Sequence, residues 1–159
     1  MPKRYMPPPT LEARLRAVED REAIRDLIAS YGPLADSGNA EAVAELWIED
    51  GSYVVGGIAE AKGRAAIAAL LTSETHRALM ADGCAHLLGP VVIDLEGDMA
   101  VARGHSAVFR NSATGFEVWR VSANRWELVR TADGWRVERR FNAPLDGSYA
   151  AQALLGISG

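Results

Sequence analysis

Hydrophobic and polar residues follow two different periods along the chain, and the change falls near residue 83. In the segment IRDLIASY (24–31), apolar residues recur three and four positions apart, with polar residues between them. This spacing predicts an amphipathic helix, because such residues share one helix face. Gly32-Pro33 is expected to disturb the helix, and Ser37-Gly38-Asn39 is expected to end it.

The rest of the chain divides into short helices and then strands. The pattern predicts helices over 40–47 and 64–80 and a strand over 51–57. After residue 83 the alternation has period two, which predicts two strand pairs, one joined around Glu96-Gly97-Asp98 and one pairing 116–130 with 134–142. Helices followed by a long antiparallel meander indicate an α+β fold, with a curved sheet and the N-terminal helices on its concave side.

The 159 residues are expected to form one domain over 11–147. Residues 1–10 contain four prolines and are interpreted as a loose arm, and 148–159 as a tail with a short helix that closes over a pocket.

Composition excludes several partner classes. Net charge is −4, with 17 basic and 21 acidic residues and no basic cluster, so neither nucleic acid nor an anionic membrane surface is expected as a partner. No segment has the length and apolarity of a membrane span. The single cysteine, Cys84, forms no intrachain disulfide and fits a reducing compartment, so a cytoplasmic protein is predicted.

Strand parity places candidate site residues on common faces, because residues two apart point the same way. The predicted sets are Cys84, His86 and Leu88; Arg103, His105, Ala107 and Phe109; and Ser122, Asn124, Trp126 and Leu128. If these faces meet, they form an apolar cavity with two imidazoles and one carboxamide, which is typical of a small-molecule site.

Asp36 follows the apolar helix face and is expected to reach this cavity. A carboxylate beside a histidine fixes the ring tautomer and stabilises the imidazolium, so His86 could remove a proton from carbon or oxygen. His105, Tyr31 or Tyr53 could return a proton to the leaving group. Such chemistry requires neither a nucleophile nor a cofactor.

Several motifs in series resemble the SnoaL-like branch of the NTF2-like superfamily, from about Leu11 to Pro144. They are Tyr31 and Asp36 as Y-x4-D, IEDGSY (48–53), GCAHLLG (83–89), ARGHSAVF (102–109) and SANRWELVRTADGWRVERR (122–140). The pattern is most similar to scytalone dehydratase, and hexachlorocyclohexane dehydrochlorinase and bile acid 7α-dehydratase share its Asp–His pair.

The resemblance implies a cone-shaped α+β barrel, no metal or cofactor, and proton transfer on hydrophobic ring compounds. It assigns the catalytic roles to Asp36, His86 and His105, and substrate contacts to Ser122 and Asn124. Strand parity adds Trp126, Phe109 and Leu88 as residues around the substrate, and Tyr31 and Tyr53 are also expected there as possible proton donors. The family's tyrosine before the aspartate is replaced by Ala35, so the way a substrate carbonyl is polarised stays open.

Other conspicuous residues receive structural interpretations. His76 and the arginines of RVERR (136–140) are read as solvated, and Cys84 as a packing residue. Trp119, Val121 and Trp135 are placed on an outer sheet face that a second copy covers, which predicts a homodimer or homotrimer.

Three functional hypotheses remain. The first is a lyase acting on a small hydroxylated aromatic or alicyclic compound, most simply a dehydratase, with double-bond isomerisation, dehydrohalogenation or retro-aldol loss of formaldehyde as related reactions. The second is a metal site made by two histidines and one carboxylate. The third is a non-catalytic small β subunit of a ring-hydroxylating dioxygenase, which shares the fold.

Overall fold

The computed structural model of the protein describes residues 8–56 and 58–156. The helices are α1 (Leu11–Asp36), α2 (Ala40–Glu45), α3 (Arg64–Leu71), α4 (Glu74–Asp82) and α5 (Tyr149–Leu155). The strands are β1 (Trp47–Val55), β2 (Ala59–Lys62), β3 (Cys84–Glu96), β4 (Met99–Ser112), β5 (Gly115–Thr131) and β6 (Gly134–Pro144). Most of the predicted proline-rich arm, and the last three residues of the tail, lie outside the described residues.

All six strands form one sheet in the order β2-β1-β6-β5-β4-β3. The sheet is curved and unclosed, and the N-terminal helices accompany it in the α+β arrangement that the sequence predicts. Two features were not predicted: the short strand β2, and the parallel pairing of β1 with β6. The remaining neighbours pair antiparallel, including both predicted hairpins.

The last residue of helix α1 is Asp36, the carboxylate of the predicted site. Thr10 caps the start by accepting a hydrogen bond from the Ala13 amide, and Ser37 follows the end as predicted. Gly32-Pro33 does not interrupt the helix, contrary to the prediction, and Pro33 lies inside it. Gly32 is instead a contact point: an added Cβ would lie 2.2 Å from the backbone oxygen of His86 on β3.

The helix predicted over 64–80 is divided in two. Helix α3 ends at Leu71, and Ser73 caps α4 by accepting a hydrogen bond from the His76 amide. The division redirects the second half of the segment, and it buries His76 and Leu79. His76 is therefore not the solvated residue that the sequence predicted.

Bulges change which strand residues face the concave side. In the β3–β4 ladder the register shifts between Leu88 and Val91, and in the β5–β6 ladder it shifts between Glu127 and Leu128. Each shift inserts an extra residue and exchanges the two faces of the strand beyond it. The shift in the β5–β6 ladder affects the site described below.

The tail helix packs away from the cavity. Helix α5 contacts β4, β5 and β6, and its Ala151 is fully buried, as is Ala123 on β5. Ala123 points to the sheet face opposite its neighbour Ser122. None of the described tail residues lines the cavity, so the tail does not close it in this structure.

Two tryptophans predicted on an outer face are placed differently. Trp135 is buried, and its indole donates a hydrogen bond to Asp20. Trp119 lines the cavity. Val121 is exposed as predicted. None of the helices in the described part of the chain is long and apolar enough to cross a membrane.

Candidate active site

The end of α1 meets the beginning of β3 through two hydrogen bonds. The Nδ1–H of His86 donates to Asp36 Oδ1 at 2.6 Å, and the His86 backbone amide donates to Asp36 Oδ2 at 2.8 Å. The side chains of His86 and Asp36 are 13% and 26% exposed. Because both carboxylate oxygens are used on the same residue, the ring is held in position relative to the helix.

This contact also fixes the tautomer of His86. A carboxylate only accepts hydrogen bonds, so the neutral ring carries its proton on Nδ1 and keeps a lone pair on Nε2. On protonation, Asp36 stabilises the imidazolium. Asp36 therefore holds His86 in the orientation of a base whose free lone pair is on Nε2.

His86 opens onto a cavity of about 730 Å³, a volume that includes the open mouth. Its walls are largely apolar, from Val55, Leu70, Leu71, Leu79, Leu88, Val108 and Trp119. Besides His86, the polar side chains at the walls are Tyr31, Tyr53, Ser73, Thr75, His76, Ser106, Arg120, Ser122, Arg140 and Asn142. An apolar cavity with a few convergent polar groups is the usual form of a small-molecule site.

Four of the predicted substrate contacts line this cavity: Tyr31, Tyr53, Leu88 and Ser122. Burial raises the pKa of Tyr31, so its hydroxyl stays protonated. Asn124 and Trp126 share the predicted face but lie beneath the lining, 1% and 0% exposed. Asn124 donates to Ser106 and accepts from Asn142 and Arg140, so it supports lining residues from below.

The prediction for His105 is corrected by the structure. His105 is exposed and is absent from the cavity wall, as is Phe109. The register pairs Leu88 with Ser106 and Ser106 with Ser122, so the even-numbered residue of β4 faces the cavity here. Paired residues share a face and neighbours along a strand do not, so His105 and Phe109 point to the other side.

The second imidazole of the cavity is His76. Its ring centroid lies 5.5 Å from that of His86, and its Nε2 lies 3.2 Å from the carbonyl oxygen of Ala35. Because a carbonyl only accepts, the neutral ring carries its proton on Nε2 and leaves Nδ1 as an acceptor. Burial lowers the pKa of His76, and the neighbouring His86 lowers it further. His76 and Leu79 are three positions apart, so they share one face of a helix. This spacing was the signal in the sequence that His76 could be buried.

Arg120 and Arg140 are charged cavity residues that sequence reasoning missed. Arg140 belongs to the RVERR segment read as solvated, yet it is 2% exposed. The bulge in the β5–β6 ladder explains the error, since Val137 and Arg140 both face inward across it.

Cys84 lies behind the Asp–His pair. Burial raises the pKa of its thiol to about 11, and the nearby carboxylate of Asp36 contributes to the rise. The Sγ lies 3.7 Å from Asp36 Oδ1. The ligand atoms of Asp36, Cys84 and His86 lie within 4.8 Å of one another, but the protonated thiol and the Asp–His hydrogen bond suit this group poorly to a metal. The predicted ligand set containing His105 is not assembled.

Comparison with known proteins places the chain in a family. Residues 16–141 match the SnoaL-like domain. The chain belongs to the SnoaL-like family. An NTF2-like protein with a cystatin-like fold from Novosphingobium aromaticivorans is 66% identical, with a TM-score of 0.90, and the match covers 92% of this chain and 96% of that one. The SnoaL-like and NTF2-like resemblance of the sequence is thus confirmed.

Two more distant structures share the fold of this SnoaL-like protein. A candidate aromatic ring hydroxylase from N. aromaticivorans is 26% identical, with a TM-score of 0.68, over 80% of this chain and 90% of that one. A candidate scytalone dehydratase from the same organism is 19% identical, with a TM-score of 0.70, over 82% and 87%. No protein of curated function matches this SnoaL-like chain significantly.

Proposed function

We propose that the protein is a cofactor-independent lyase in which His86, oriented by Asp36, removes a proton from carbon, and water is then eliminated. The family is commonly enzymatic and includes dehydratase-like and ketosteroid isomerase-like members. The observation that carries the proposal is the Asp36–His86 hydrogen bond at the wall of an apolar cavity. The proposed substrate is a small hydrophobic ring compound with a hydroxyl group.

The proposed steps balance without an added reagent. His86 Nε2 takes a proton from the carbon between a ring carbonyl and a carbinol carbon, and the C–H electrons form an enolate. The enolate then expels the hydroxyl group, which takes the proton from the imidazolium and leaves as water, so His86 returns to its neutral form. Asp36 favours the charged intermediate state of the ring.

Hydroxyl groups at the wall are available to the substrate's oxygens. Tyr31 and Tyr53 lie with their ring centroids 6.3 Å apart, and Tyr31 lies 6.3 Å from the His86 ring. Their hydroxyl groups are hydrogen-bond donors toward a carbonyl, in place of the family tyrosine that Ala35 replaces. His76 Nδ1 is an acceptor for a substrate hydroxyl.

The test measures two reactions on defined probes. 3-Hydroxy-1-tetralone becomes 1-naphthol when it loses water, and 1-tetralone reports proton abstraction alone through deuterium uptake from D₂O. We expect the wild-type protein to catalyse both, and Asp36→Asn and His86→Ala to lose both. His105→Ala is the matched control, since this histidine lies on the other sheet face, and it should retain both rates. An inactive wild type, or an active His86→Ala variant, contradicts the proposal.

Related reactions use the same base. Double-bond isomerisation returns the proton to a different carbon, and loss of hydrogen halide or formaldehyde differs in the bond that breaks. The shape of the cavity, rather than the base, decides among these reactions. Products from unsaturated ketone, halide and hydroxymethyl probes would identify them.

A non-catalytic role is the alternative of a different class. The candidate aromatic ring hydroxylase among the structural neighbours favours testing the small β subunit hypothesis. That hypothesis predicts a stable complex with a large Rieske-type partner and no effect of Asp36→Asn on assembly. The lyase proposal predicts turnover by the chain alone.

A further inference from the structure

Arg140 is a buried cation with an unfilled donor. Its guanidinium carbon lies 4.3, 4.5 and 4.0 Å from the ring centroids of Tyr31, Tyr53 and Trp126. Nε and Nη2 both donate to Asn124 Oδ1, at 3.1 and 2.8 Å. Nη1 is buried and has no hydrogen-bond partner within the described parts of the chain. Aromatic rings stabilise the charge without neutralising it.

Arg120 lies on the same side of the cavity and also has only neutral partners. Its Nε donates to Ser122 Oγ at 3.0 Å. Its Nη2 donates to the Gly56 carbonyl at 2.8 Å and to Asn142 Oδ1 at 2.9 Å. Burial lowers the pKa of Arg120, and the charge of Arg140 lowers it further.

Two other arginines with buried or partly buried side chains, Arg103 and Arg130, have carboxylate partners. Arg103 pairs with Asp94 at 2.6 Å, and Arg130 pairs with Asp20 at 2.7 Å. In residues 8–56 and 58–156, neither Arg120 nor Arg140 forms an ion pair. Arg120 and Arg140, which both lack a counter-charge, both line the cavity.

Such an arrangement is costly without an anion. A buried charge is disfavoured unless it is paired, and two neighbouring guanidiniums also repel each other. A guanidinium presents parallel N–H donors that match the two oxygens of a carboxylate. A carboxylate on the ligand would supply both the missing charge and an acceptor for Arg140 Nη1.

We propose that Arg120 and Arg140 form a binding subsite for a carboxylate group of the substrate. The inference deepens the proposed function, on which it rests for the claim that the bound molecule is a substrate. Tyr31 contacts both His86 and Arg140, so it lies between the base and the subsite. The substrate class is therefore an aromatic or alicyclic carboxylic acid, with its carboxylate at the arginines and its reacting carbon at His86.

The experiment compares an acid with its neutral isostere. 2-Naphthoate and 2-naphthamide have the same ring and nearly the same shape, and calorimetry at pH 7.5 gives the dissociation constant of each. We expect wild-type protein to bind the acid at least tenfold more tightly than the amide. Arg120→Gln should reduce this preference below threefold. The control is Arg125→Gln, a half-buried arginine of the same strand that pairs with Glu127 outside the cavity, and it should keep the preference.

The outcomes separate the subsite from the catalytic proposal. Equal affinities in the wild type, no binding of either compound, or an undiminished preference in Arg120→Gln overturns the subsite. The wild-type comparison needs no variant, so it stands even if Arg120→Gln does not fold. Asp36→Asn should keep the preference for the acid. If the wild type prefers the acid but does not catalyse deuterium exchange on 1-tetralone, the subsite is supported and the role of His86 as a base is contradicted. If the wild type catalyses the exchange but does not prefer the acid, the base is supported and the subsite is contradicted.

Discussion

Replacing Gly32 with alanine tests how closely the fold holds the base to its carboxylate. The added Cβ would lie 2.2 Å from the His86 carbonyl oxygen, 3.3 Å from its carbonyl carbon and 3.5 Å from Leu88 Cδ2. The obstacle at 2.2 Å is backbone, so α1 and β3 must separate by about 1 Å to restore ordinary contact. The Asp36–His86 hydrogen bonds of 2.6 and 2.8 Å cross this same interface.

Gly32→Ala is expected to lower the activity more than it lowers the stability. Overpacking destabilises by about 1–3 kcal/mol, whereas alanine in place of glycine inside a helix stabilises by about 1 kcal/mol, so a net loss of roughly 0–2 kcal/mol is expected. A displacement of about 1 Å at catalytic groups costs on the order of 100-fold in rate. Gly32→Ala should therefore remain folded and exchange the 1-tetralone proton about 100 times more slowly.

Chemical denaturation gives the stability, and deuterium exchange gives the rate. Gly156→Ala is the control, because its added Cβ meets nothing closer than 3.4 Å. A Gly32→Ala protein with the wild-type exchange rate would refute the argument that this close approach sets the Asp36–His86 geometry.

Three further predictions concern stability, substrate positioning and assembly. Asp20 has a lowered pKa through its hydrogen bond with Arg130, so its contribution to stability is complete above the unfolded pKa and is lost as pH falls through the folded value. Asp20→Asn should thus cost about 1–3 kcal/mol at pH 7, and the difference from wild type should shrink at acidic pH in denaturation curves; a constant difference would contradict this. His76→Phe removes the proposed acceptor for a substrate hydroxyl and should raise KM about two- to twelvefold with a smaller change in kcat, whereas an unchanged KM would exclude that contact. Val121 is 43% exposed on the sheet, and Val121→Lys should dissociate the homodimer or homotrimer we propose in light scattering; a monomeric wild type would refute the proposal.

The Asp36–His86 pair was predictable from local signals. The apolar period of α1 and its stop at Ser37-Gly38 place Asp36 at a helix end, and the turn to period two at Gly83 places His86 near the start of a strand. The family resemblance joined these two local readings into one site. Gly32 looked like a helix breaker because its tertiary role, close contact with β3, has no local signature.

The errors in the predicted site arise where the neighbouring strand decides which face of a strand points into the cavity. The period of two says which residues of β4 share a face, but the pairing of Leu88 with Ser106 decides which face turns inward, and this excluded His105. A bulge likewise brought Arg140 inward from a segment that looked solvated. His76 was hidden in a polar run because the helix was predicted as continuous across Ser73.

The central claim is that Asp36 presents the bare Nε2 of His86 to the cavity, and nitrogen NMR of ¹⁵N-histidine-labelled protein tests it most directly. The chain contains three histidines, so single variants assign all the ring signals. We predict that the neutral His86 ring is protonated on Nδ1 and unprotonated on Nε2, and that 2-naphthoate shifts its Nε2 signal while the His105 signals stay unchanged. A neutral His86 ring protonated on Nε2, or a ligand that moves the His105 signals and leaves those of His86 unaffected, would contradict the account.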